Sequence, residues 1–256
     1  MKIIIVGYGV VGKAVHNALH SMHDIVIVDS RHTSEQVINH PDADGVIICL
    51  GTPSTESGGC DDSQVRLALS EIPVFLPILI KSTILPDQLT QIEKDCEDYE
   101  ICYSPEFLRA EFANQDFLNQ KYMIIGGSDP DGFWEDIFRS VLPNCNMYLH
   151  CSMNEASLVK HAVTAFLATK VAFFNQLFDM CDASRSNFDI VRQLVCLDPR
   201  INSSHSIVPG NHGRGFDGSS FPKDTSAFIQ YARQIDQPID ILETVVDYNE
   251  KLRKNS

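Results

Sequence analysis

Lys2–Val6 is a short apolar run, the turn Gly7-Tyr8-Gly9-Val10-Val11-Gly12 follows at once, and helical spacing begins at Val10 and continues to Leu19. This is the arrangement that most constrains the chain. A buried strand that empties into a glycine turn and then a helix matches the dinucleotide-binding fingerprint of a Rossmann-type domain. The first glycine permits the tight turn, the second lets a pyrophosphate approach the backbone, and the third lets the helix pack on the sheet. Phosphates then meet the positive end of the helix. The next strand, Asp24–Val28, ends at Asp29, about 20 residues beyond the fingerprint, where an acid takes the adenosine ribose hydroxyls. Arg31 would favour a 2′-phosphate, but Asp29 would repel one, so the expected cofactor is NAD. The expected cofactor contacts are Gly7, Tyr8, Gly9, Val10, Val11, Gly12 and Asp29.

Further apolar runs follow at 46–50, 74–80, 100–103 and 123–125, with helical stretches between most of them. Strands alternating with helices predict an α/β fold, a doubly wound parallel sheet covered on both faces. Past residue 150 the texture becomes helical. A long pattern runs from Asn154 to Cys181 and a shorter one from Asn187 to Val195. A loop rich in Gly, Ser, Pro and Asn spans 198–220, and helices open at Pro222 and Pro238. The expected organisation is an NAD-binding domain at 1–150 and an all-helical domain at 151–256.

With a formal net charge of −14, the chain lacks the basic face of a nucleic-acid binder. Its eight cysteines include no C-x-x-C pair, and a disulfide framework belongs to short secreted chains, so reduced thiols in the cytoplasm are expected. The amino-terminal apolar run is broken by glycines and lacks a cleavage site, unlike a signal peptide. No run reaches the roughly 18 apolar residues of a membrane span. His16, His20 and His23 would share a helix face, but no acid or cysteine completes a tetrahedral set, so no metal is expected.

Several strings stand in one order: Gly51-Thr52-Pro53-Ser54, Lys81-Ser82-Thr83, Ser104-Pro105-Glu106-Phe107-Leu108-Arg109, Asn154 to Lys160, Asp198-Pro199-Arg200-Ile201, and Gly215 through Phe221-Pro222-Lys223-Asp224. In this order they resemble the UDP-glucose/GDP-mannose dehydrogenase family, over nearly the whole chain. The resemblance implies oxidation of a sugar CH₂OH to a carboxylate with two NAD, UDP-glucose to UDP-glucuronate being the default, as precursor supply for polysaccharide. The chemistry needs a nucleophile, an acid/base and donors for an oxyanion. By resemblance, Asp224 is the acid/base acting through water, Lys160 stabilises alkoxide charge, Thr83 holds the water, and Glu106 serves thioester hydrolysis. Glu106, Phe107, Leu108, Arg109 and Lys160 line the sugar-nucleotide site. Thr52, Pro53, Thr83 and Lys223 lie at the cofactor, and the loop through Gly210 and Gly215 wraps the sugar.

Three positions depart from that family. Ser220 stands where its nucleophilic cysteine is, and a hydroxyl ionises only with strong help from a base. Thr164, one turn after Lys160, replaces an asparagine, and Ala110 replaces a second glutamate. A further difference is length: members carry a third, carboxyl-terminal nucleotide-binding domain, and against them this sequence reads as a short form with weak sugar-nucleotide binding expected. An NAD-binding relative without full turnover is the competing expectation. The resemblance also implies a homodimer through the long helix, where Phe166, Phe173, Phe174 and Phe178 are apolar for a free surface.

Overall fold

The computed structural model describes residues 1–211, 213–218 and 220–254. The chain divides into two compact units, Met1–Pro53 with Cys60–Lys160, and Ser54–Gly59 with His161–Ser256.

The first unit is built on a seven-stranded sheet of order β2-β1-β3-β4-β5-β6-β7. Its strands are β1 (Lys2–Val6), β2 (Asp24–Val28), β3 (Gly45–Ile48), β4 (Ile78–Ile80), β5 (Ile101–Tyr103), β6 (Tyr122–Gly127) and β7 (Met147–Cys151). Side chains alternate across a strand, so one apolar run supplies two cores. Ile4, Val6, Val46, Ile48, Ile78 and Ile80 face one layer. Ile3, Ile5, Ile47 and Leu79 face the other. The layers are closed by α1 (Val10–Leu19), α2 (Ser63–Glu71), α3 (Pro86–Asp95), α4 (Ala113–Asn119) and α5 (Phe133–Val141).

The sheet differs from the expected one in three ways. β5 and β6 pair antiparallel, Cys102 opposite Gly127 and Tyr103 opposite Gly126, so β6 and β7 run against the rest. β7 is a strand that hydrophobic periodicity does not reveal. It is an edge strand, and Met147 and Leu149 are exposed on it, so no apolar run marks it. The fourth strand is also shorter than its apolar run, because Val74 and Phe75 are exposed ahead of it.

A 31-residue helix, α6 (Met153–Ala183), begins in the first unit and ends in the second. By length and composition it is apolar enough to cross a membrane, yet 44% of its most apolar window is buried within the fold. Its Ala165, Ala168 and Ala172 form a core with Phe216, with Ile229 of α8 (Phe221–Gln234), and with Leu242 and Val245 of α9 (Asp240–Lys254). A smaller core joins Phe174 and Cys181 to Val208 and to Phe188 of α7 (Phe188–Val195). The Asn187 side chain caps α7 by accepting from the Ile190 amide at 3.2 Å.

Candidate functional site

The glycine turn sits where β1 meets α1. Gly7 has φ +95°, and a Cβ there would lie 2.7 Å from the Cys49 carbonyl oxygen. A Cβ on Gly12 would overlap the Gly7 carbonyl, so both positions exclude side chains on steric grounds. At Gly9, by contrast, a Cβ would meet nothing within 4 Å. That open approach lies at the amino end of α1, where the first amides have no intrahelical partner. Asp29 is 7% exposed. Its Oδ2 accepts from the Tyr8 amide at 2.7 Å, and its Oδ1 accepts from the Arg31 amide at 2.9 Å and faces His32 Nδ1 at 3.0 Å. Burial pushes this carboxyl upward, but the Tyr8, His32 and Arg31 contacts outweigh burial and hold it well below the usual carboxylate range. A close-approach turn, open helix amides and an ionised acid closing β2 fit a dinucleotide. The Tyr8 ring is flanked edge-on by His16 and His32. His16 stacks on His20, whereas His23 lies beyond the end of α1, 3.2 Å from Ser140 Oγ.

The carboxyl ends of β3, β4 and β5 bring the next group together, at the edge where open α/β sheets bind ligands. Thr52 is buried, and its hydroxyl donates to the Thr83 carbonyl at 2.7 Å. The Cys60 thiol donates to the same carbonyl at 3.2 Å. Pro53 is exposed and Thr83 half-buried. Glu106 is buried and forms an ion pair with Lys81. Its main-chain carbonyl accepts from Lys160 Nζ at 2.7 Å. The expected sugar-lining residues diverge. Phe107 packs on one sheet core and Leu108 on the other. Arg109 turns to Asp116, with its NH2 2.6 Å from Oδ1. Val10 and Lys13 line a cleft of about 340 Å³ with residues 110–115.

In the second unit, α8 gathers the remaining chemistry in its first turn. Ser220 is its exposed N-cap, and its carbonyl accepts the Asp224 amide at 2.8 Å. Asp224 is 2% exposed, with Oδ1 2.8 Å from Lys223 Nζ. Thr164 of α6 is buried. The Gly215 loop is pinned from two helices. Its Gly215 amide donates to Asn175 Oδ1 at 3.2 Å. The Phe216 amide donates to Asn249 Oδ1 at 2.7 Å, and the Phe216 carbonyl accepts from Asn249 Nδ2 at 3.0 Å. Gly210 and Gly213 form a backbone bridge next to it. Ser219 lies outside the described residues.

Three structurally engaged residues go unassigned in the sequence: Lys81, Asn175 and Asn249. For Lys81 a signal existed, a charge placed directly after an all-apolar strand. Asn175 and Asn249 carry none, because a polar residue on a long helix is ordinarily solvated.

Two descriptions of one protein family match the chain. Residues 31–141 match the NAD binding domain of the UDP-glucose/GDP-mannose dehydrogenase family, and residues 154–251 match its central domain. The UDP-glucose 6-dehydrogenase of Rhizobium meliloti is 31% identical over 227 residues, covering 83% of this chain and 51% of that protein. UDP-glucose 6-dehydrogenase TuaD of Bacillus subtilis is 30% identical, covering 82% of this chain and 47% of its own length. The chain thus spans about half the length of the curated relatives it matches. Among solved structures, a UDP-glucose dehydrogenase from Pyrobaculum islandicum superposes with a TM-score of 0.84 at 25% identity, covering 98% of this chain and 68% of that one. With the dinucleotide turn in one unit, the helical core in the other and a family match in each, this chain belongs to the UDP-glucose/GDP-mannose dehydrogenase family.

Proposed function

We propose that the chain oxidises the primary alcohol of a nucleotide sugar with NAD, UDP-glucose being the first candidate. The observation that carries this reading is the Lys160–Glu106–Lys81 connection at the sheet edge that also bears the dinucleotide turn. NAD, when bound, supplies the hydride acceptor. Gly7, Tyr8, Gly9, Val10, Val11 and Gly12 offer backbone to its phosphates, and Asp29 takes the ribose hydroxyls. Thr52, Pro53 and Thr83 complete its surroundings in the first unit, and Lys223 is the cofactor contact assigned to the second. In this reading Lys160 stabilises the developing alkoxide, Thr83 holds a water, and Asp224 is the acid/base. The backbone of the loop through Gly215 would contact the sugar nucleotide.

A second reading, NAD binding without full turnover, is favoured by Ser220. Its neighbour Asp224 is committed to Lys223, and a hydroxyl without a free base is a weak nucleophile. Measuring NADH formed from UDP-glucose by this chain and by Ser220→Cys separates the two. Turnover by the cysteine form alone, with two NADH per sugar, supports the first reading with Ser220 as a block. Silence of both forms, with NAD still bound, leaves the second.

The same reading includes a homodimer through the helical unit. Phe166, Phe173 and Met180 recur every seven residues along α6 and are 69%, 56% and 67% exposed. It also places the protein in the cytoplasm, which suits eight free cysteines.

A further inference from the structure

Lys81 is a charge in an apolar setting. It follows β4 directly, and its side chain is 1% exposed. Its ammonium stands 5.8 Å from the ring centre of Phe117 and 5.4 Å from that of Phe138. The Ser104 carbonyl and hydroxyl accept from it at 3.3 and 3.2 Å, and Glu106 supplies the opposing charge. Stability alone does not account for such a pair, because apolar residues of similar volume generally serve a core as well or better. What an ion pair does, and an apolar contact does not, is fix the direction of a carboxylate.

Fixing Glu106 has a consequence one residue away in space. The carboxylate of Glu106 is held by Lys81, and the main-chain carbonyl of Glu106 receives Lys160 Nζ at 2.7 Å. Glu106 is therefore tethered at both ends, inward to a buried lysine and outward to a half-buried one. We propose that Lys81 is a positioning residue which, through Glu106, sets where the ammonium of Lys160 stands. Its consequence for turnover rests on the role given to Lys160 above; its consequence for Lys160 itself does not. If the pair only filled a polar gap under β4 and β5, removing it would change stability and leave Lys160 as it is.

The test uses the full chain as Lys81→Met and Lys81→Arg. Amines are reductively methylated with formaldehyde, and labelling of Lys160 is followed by peptide mass spectrometry, with exposed Lys254 as the reference. Folded Lys81→Met should label Lys160 several-fold faster than wild type, Lys81→Arg should stay near wild type, and Lys254 should not change. In NADH formation, Lys81→Met should lose between about tenfold and a hundredfold in kcat with KM little changed, the cost of a misplaced group. If Lys81→Met does not fold, Lys81→Met/Glu106→Leu removes both buried charges, and the same labelling is read on it, again with faster modification expected. An unchanged Lys160 rate in folded Lys81→Met, or in the double variant where Lys81→Met does not fold, overturns the proposal. If neither the wild type nor Ser220→Cys makes NADH from a nucleotide sugar, the catalytic reading falls instead, and the labelling still decides the role of Lys81.

Discussion

The Tyr8 amide donates to Asp29 Oδ2 across 2.7 Å, so the glycine turn after β1 and the acid that closes β2 form one rigid unit. Each helps to define the other, and damage to either should register in cofactor binding.

Gly12→Ala places a methyl against the Gly7 carbonyl. Overpacking of that kind costs about 1–3 kcal/mol. NADH binding, read by fluorescence titration, should fall sharply and the melting temperature should drop. Gly9→Ala, where a Cβ meets nothing, should keep wild-type stability and lose affinity only.

Asp29 has a depressed pKa, so the stability it lends is fully present above its unfolded value of about 3.9 and is lost as pH falls from there toward the folded value. Asp29→Asn should therefore be less stable than wild type at neutral pH. The gap between their melting temperatures should narrow as pH falls below about 4. A gap independent of pH would mean that the lost contacts, not the lost charge, matter.

Lys81→Met leaves the Glu106 carboxylate buried and without Lys81, at a cost of about 3–5 kcal/mol. Urea denaturation should show that loss, and Lys81→Met/Glu106→Leu should recover most of it.

Asn249→Ala removes both contacts of its side chain with Phe216 and strands the loop's amide, about 1–3 kcal/mol. Proteolysis near Gly215 should accelerate while NADH binding is unchanged.

Burial pushes the thiols of Cys49 and Cys102 up to about 12. Neither should be alkylated at neutral pH until denaturant is added, whereas half-buried Cys151 and Cys196 should react first.

The glycine turn, Asp29 and the helical second half were legible because each depends on local sequence: a steric demand, a strand end, a helical period. Reversal of β6 was not, since strand direction depends on how a connection folds back, and the residues of a buried strand look alike either way round. β7 was hidden for the opposite reason, an edge strand whose exposed Met147 and Leu149 break any apolar rhythm. Within the site, motif order named Glu106 and Lys160 but not the carbonyl that joins them, because a main-chain contact leaves no mark on residue identity. Arg109 shows the same limit: its string marks it for a ligand, and the fold turns it to Asp116.

β6 and β7 run against the other strands, Cys151 at the end of β7 pairs with Gly126, and α6 starts beside Gly126 and Gly127. The helix then carries Lys160 to the Glu106 carbonyl. Seven steps from Met153 to Lys160, at about 1.5 Å each, cover that distance, and they also set the bearing of the lysine, about 100° per residue. The exit helix thus works as a graduated screw. Inserting or deleting one residue before Lys160 would move its ammonium only slightly along the axis but swing it off Glu106 altogether, so this short stretch should tolerate substitution far better than any change in length.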